Sequence, residues 1–145
     1  MTLKVEIGRD SALFHKAEKI RMKVFVEEQG FAAEIEVDKK DETAFHVVAY
    51  AGDKPVGAAR FFEEHGGYHV GRVAVLPEYR GKGVGRFIMN EIENFAENSG
   101  IGELVLSAQT RAADFYLKCG FSEYGEVYLE EGCSHIEMRK NVKMG

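Results

Sequence analysis

At 145 residues the chain is long enough for one hydrophobic core, and its 45% apolar and 30% charged residues are ordinary for a globular domain. Nineteen Lys and Arg against 24 Asp and Glu leave a net charge of −5, which argues against general nucleic-acid binding, because neutralising phosphates needs a concentrated basic face. No stretch approaches the roughly 18 apolar residues of a membrane span, and the alternating start Met1 to Ile7 lacks a secretory apolar run, so a cytoplasmic protein without membrane or nucleic-acid partners is expected.

Thr2 to Ile7 predicts a first strand. Ser11 then stands as a helix cap, and Leu13, Ala17, Ile20 and Val24 recur at three- and four-residue steps with Phe14 and Phe25 beside them, predicting a helix that ends near Gln29 and Gly30. From Phe31 to Glu42 the periodicity fails, and Glu34, Glu36, Asp38, Asp41 and Glu42 predict a loop or short irregular segment. Its acids suit either a solvated face or the attraction of a cationic amine.

Ala44 to Tyr50 and Val56 to Glu63 read as strands joined by a turn from Ala51 to Pro55; Glu64 to Gly67 leads into a third strand, Tyr68 to Leu76, stopped by Pro77. Phe87, Ile88, Ile92, Phe95 and Ala96 share one helical face, closed by Gly100. Leu104 to Leu106 is a short strand expected to be buried on both faces. Thr110 to Cys119 fits a last helix, and Glu123 to Leu129 and His135 to Lys140 two closing strands, whose exposed edges leave room for a homodimer. A helical crossover makes the Tyr68 and Leu104 strands parallel. The predicted class is therefore α/β (α+β): a single domain, 1–145, with a mixed, mostly antiparallel sheet and about four flanking helices.

Val73-Ala74-Val75 followed by Arg80-Gly81-Lys82-Gly83-Val84-Gly85 and a helix is an anion site in the making. Free N–H groups at a helix start point outward, the dipole adds positive charge, glycines allow close approach, and Arg80, Lys82 and Arg86 reinforce it. The order of a P-loop is absent, and the dinucleotide fingerprint fails because position 86 is arginine. Cys119 and Cys133 have no partner at metal-binding spacing, and no metal is expected.

Arg80-x-x-Gly83-x-Gly85 after an apolar strand resembles the acetyl-CoA motif of the Gcn5-related N-acetyltransferase (GNAT) superfamily. Gln109, Ala112, Phe115-Tyr116 and Gly120-Phe121 resemble that superfamily's second pattern of Asn, Ala, aromatic-Tyr and Gly-Phe, with Gln109 in place of the commoner asparagine. A narrower resemblance, to ElaA-like bacterial members, rests on Arg21 to Gln29, the acids from Glu36 to Asp41, His46, and His135 to Met138. The resemblance implies a splayed parallel strand pair and acetyl-CoA as cosubstrate. It assigns the pantetheine arm to the backbone of Val73, Ala74 and Val75, the pyrophosphate to Arg80 through Arg86, further cofactor contacts to Gln109 and Tyr116, and the role of general acid to Tyr116.

Acetylating an amine needs a neutral nucleophile and a protonated leaving thiol. An alkyl ammonium of pKa about 10.4 is neutral in only about one molecule in a few thousand at pH 7, so a base helps. Glu28, His46 and His135 are the candidate bases, with a water chain as the alternative. Arg60, costly to bury unpaired, either binds an acidic substrate group or pairs with an internal carboxylate. The expected function is an N-acetyltransferase acting on a primary amine of a small molecule; a non-catalytic acetyl-CoA sensor and a protein or peptide N-acetyltransferase are the alternatives.

Overall fold

The computed structural model describes residues 1–143; Met144 and Gly145, and the side chains of Glu34 and Ile35, lie outside the described residues. Strands β1 (Leu3–Gly8), β2 (Phe45–Ala51), β3 (Lys54–Glu64), β4 (Gly67–Val75), β5 (Glu103–Gln109), β6 (Ser122–Glu130) and β7 (Cys133–Asn141) form one sheet in the order β1-β2-β3-β4-β5-β7-β6. Among the described residues only β4 and β5 run parallel, as the crossover requires; every other neighbouring pair there is antiparallel. Helices α1 (Ser11–Arg21), the single turn α2 (Ala33–Glu36), α3 (Val84–Asn98) and α4 (Ala113–Lys118) flank the sheet.

Two apolar clusters sandwich the sheet. On one face α3 buries Val84, Ile88, Met89, Ile92 and Ala96 against Val47, Ala59, Phe61 and Leu104. On the other, α1 buries Leu13, Ala17 and Ile20 against Val48, Ala58 and Ala74. The alternation of Val47 and Val48, or Ala58 and Ala59, between the two faces is the two-residue period of a strand covered on both sides.

Several local expectations are corrected. Asp10, not Ser11, caps α1, accepting from the Leu13 N–H at 3.1 Å. Lys54 and Pro55 belong to β3, leaving Gly52 and Asp53 as the hairpin turn. β5 alternates, with Leu104, Leu106 and Ala108 buried and the residues between them half-buried, because its second face borders an opening rather than a helix. Of the two closing strands only β6 is an edge; β7 is inserted between β5 and β6.

The first helix continues past Arg21 as expected, but as a π-helical segment, Met22–Glu28, in which Gln29 N–H reaches the Val24 carbonyl at 3.0 Å. Such widened turns are rare and gather at functional sites. The acidic segment folds as α2 and a 3-10 turn, Lys39–Glu42. It is no solvated face, since Glu36 and Asp41 are buried in an ion-pair network with arginines.

Candidate active site

β4 and β5 pair only through Tyr68–Val70 and Leu104–Leu106. Beyond that point β4 keeps β3 alone and β5 keeps β7, so the strands part. A bulge in the β3–β4 ladder at Ala58/Arg60 accompanies a left-handed Arg72, φ 53°, at the parting point, a conformation uncommon for a residue with a Cβ. The gap opens into a cavity of about 750 Å³. Phe25 of the π segment and Gln29 just past its end, four residues apart, wall one side; Ser107 and Gln109 of β5, Tyr116 of α4 and His135 of β7 wall another.

Beside it, β4 leads through a 3-10 turn, Pro77–Tyr79, into the glycine turn and α3. Gly83 caps α3 in the left-handed region, φ 83°, and the first backbone bond of the helix runs from Phe87 N–H to the Gly83 carbonyl at 3.0 Å. The amides of Val84, Gly85 and Arg86 therefore have no partner from a preceding turn, which is the ordinary donor set of an anion-binding helix start. Around Gly81 and Gly83 there is open space where a Cβ would stand, but Gly85 is different. A Cβ there would lie 2.9 Å from Phe115 Cζ, so Gly85 lets α3 pack closely on α4. Lys82 and Lys54 lie over the Tyr79 ring at 5.5 and 5.3 Å, adding positive charge at the turn.

Tyr116 lines the cavity while packing edge-on against Phe115 and Phe121. Burial pushes its phenol well above the usual range, so the hydroxyl keeps its proton and can donate. His135 is buried at 6% exposure and faces the same cavity. Its Nδ1 lies 2.8 Å from the Cys133 carbonyl, which can only accept, so Nδ1 carries a proton and Nε2 is the ring nitrogen left toward the cavity side chains. Glu130 Oε2 stands 3.6 Å from that Nε2, and Tyr128, bonded through its hydroxyl to Ser107, stacks on the imidazole.

The structure does not bring the other candidate bases there. Glu28 is outside the cavity lining and gives both carboxylate oxygens to Arg80, at 2.5 and 2.6 Å; that hydrogen bonding holds its carboxyl below the usual range. His46 also lies outside the lining. It is buried beside Phe14 with Nε2 2.9 Å from the Asp41 carbonyl, and burial lowers its pKa.

Arg60 does both things its position allowed: it lines the cavity and pairs with internal acids, donating to Asp38 at 2.6 and 3.0 Å and lying 3.1 Å from Asp41. Arg21, fully buried, donates to Glu36 at 2.5 Å and to Asp41 at 2.8 Å, and Arg72 lies 3.0 Å from Glu36. Three guanidinium groups thus face three carboxylates. Burial raises the Glu36 carboxyl despite its arginine partners, whereas at Asp41 the bonds from Arg21 outweigh burial and lower it to about 2. The network fastens the acidic segment to the end of α1 and to β3 and β4, along one side of the cavity.

The sequence matches the acetyltransferase (GNAT) domain family over residues 12–142. The chain belongs to the GNAT family. It is 36% identical over 140 residues to the uncharacterized N-acetyltransferase YjcF of Bacillus subtilis, covering 96% of this chain and 100% of that one. Among solved structures, a protein of Lactobacillus plantarum superposes with a TM-score of 0.92 at 29% identity, covering 99% and 100% of the two chains. Escherichia coli ElaA superposes with a TM-score of 0.83 at 26% identity, covering 96% and 99%. An acyl-CoA N-acyltransferase from Pseudomonas aeruginosa gives 0.84 at 27% identity over 96% and 99%. Acyl transfer from an acyl-CoA is accordingly the activity of this GNAT chain's family.

Gln29, Arg72, Ser107, Tyr128 and Glu130 also line the cavity, without a sequence motif that marks them. The π turn brings Gln29 there, and the bulge and the strand register bring the other four; no spacing in the sequence carries these.

Proposed function

We propose that the protein is an N-acetyltransferase that moves the acetyl group of acetyl-CoA to a primary amine of a small molecule by direct attack in a ternary complex. The parted β4 and β5 support this most, since one opening is lined by a phenol that burial keeps protonated and by the His135 imidazole. The free edge of β4 at Val73, Ala74 and Val75 suits the amides of the pantetheine arm, and the amides and cations between Arg80 and Arg86 suit its pyrophosphate. Gln109 completes the cofactor side. Acetyl-CoA supplies the thioester.

The residues of the chain then divide the proton chemistry. His135 Nε2 takes the proton that the acceptor nitrogen loses, with Glu130 stabilising the imidazolium that results. Tyr116 gives its hydroxyl proton to the departing thiolate and is reprotonated by solvent. Glu36, Asp38 and Arg60 line the acceptor side of a cavity of about 750 Å³, a size that suits a small molecule.

Thiol release across a panel of primary amines, with CoA affinity measured by calorimetry, tests the proposal. Acetyl-CoA-dependent release with at least one amine is the expected result. Tight CoA binding with no transfer to any amine would leave the sensor alternative instead.

A further inference from the structure

The Arg80 guanidinium, expected at the pyrophosphate, is committed elsewhere. Its Nε donates to the Val75 carbonyl at 2.9 Å, and its two terminal nitrogens donate to the two oxygens of Glu28 at 2.5 and 2.6 Å. A guanidinium grips an oxyanion bidentately through one of two edges, the terminal pair or Nε with its neighbouring terminal nitrogen. Glu28 holds the first edge, and the Val75 carbonyl holds Nε of the second. A diphosphate can take a two-point grip from Arg80 only if one of these contacts opens.

Both contacts lie on the proposed cofactor path. Val75 is on the β4 edge where the pantetheine arm would run, and Arg80 opens the turn that would hold the diphosphate. Glu28 ends the π segment, whose Phe25 walls the acceptor cavity together with Gln29. Gln29, the next residue, accepts a hydrogen bond from Gln109 at the end of β5.

We propose that Glu28 is a positioning residue that competes with the CoA pyrophosphate for Arg80, so that cofactor binding exchanges one anion for another and releases the end of the π segment beside the acceptor pocket. The Glu28 carboxylate thereby lowers cofactor affinity and links the two halves of the site. The inference rests on the reading of residues 80 to 86 as the CoA turn.

Titration calorimetry of CoA against the wild type, Glu28→Gln, Arg80→Gln and the double variant tests it. Both side chains are exposed, so the variants fold. Glu28→Gln is expected to tighten CoA binding about two- to fivefold, the scale of an exposed ion pair, with a smaller gain at 0.5 M salt. Arg80→Gln is expected to weaken binding, and Glu28→Gln to have no effect in its background. Unchanged or weaker binding by Glu28→Gln, or the same gain with Arg80 absent, would overturn the competition while leaving the cofactor reading intact. No CoA binding by any variant would remove both.

Discussion

The side-chain amide of Gln109, at the end of β5, donates to the side-chain Oε1 of Gln29 at 3.0 Å, tying the end of the π segment to the far wall of the cavity. Arg111 Nε fixes the other end of the Gln109 amide at 2.7 Å. Gln29→Ala should remove one hydrogen bond worth about 1 kcal/mol, lowering Tm by roughly 3 °C in a thermal melt. The loosened wall should also raise KM for the amine more than for acetyl-CoA.

Tyr116→Phe removes the proton donor while keeping the ring packed on Phe115 and Phe121. Transfer should fall roughly 10²- to 10⁴-fold with CoA affinity nearly unchanged. Because burial keeps the wild-type phenol protonated past its ordinary range, Tyr116 should add no alkaline limb to the pH–rate profile through pH 9. Steady-state thiol release at several pH values checks both statements.

His135→Gln should slow transfer at pH 7 with CoA binding intact. The penalty should shrink as pH rises toward the pKa of the acceptor ammonium, where the amine is neutral without help. A penalty that stays constant with pH would mean that the imidazole only shapes the pocket.

Asp41 contributes to stability with a definite sign. Its folded pKa, about 2, lies below the ordinary value of 3.8, so its ion pairs stabilise above about pH 4 and the contribution is lost as pH falls toward 2. Glu36 has the opposite sign: its raised carboxyl penalises the fold as pH rises through the window of its shift. Asp41→Asn should cost about 3 kcal/mol at pH 7 by leaving Arg21 and Arg60 short of charge, and less at pH 2.5. Urea melts at the two pH values measure the difference.

Gly85→Ala drives a methyl to 2.9 Å from Phe115 Cζ. About 1 to 3 kcal/mol of destabilisation is expected, with part of it relieved by Phe115→Leu, so the two substitutions should be non-additive in a denaturant cycle. If Phe115→Leu gave no relief, the clash would have to lie elsewhere.

Patterns that reside in neighbouring residues were legible before any coordinates. The alternation of β2 and β3, the apolar face of α3, the glycine turn at Arg80 to Gly85 and the parallel crossover all follow from local period and turn chemistry, and with them the GNAT resemblance. The acidic segment was not legible. Glu36, Asp38 and Asp41 look solvated in sequence because their partners Arg21, Arg60 and Arg72 lie 15 or more residues away.

The amino-acid order by itself determined where most strands and helices form and where a glycine turn leaves free amides at the start of α3, since both depend on residues within one or two turns of each other. Only the tertiary structure decided which ionisable groups share the cavity. It turned Glu28 to Arg80, buried His46 behind Asp41 and set His135 beside Glu130 at the parting of β4 and β5. Those choices follow from the π turn, the bulge at Arg72 and the insertion of β7 beside β5, and each is settled by packing between segments far apart in the chain.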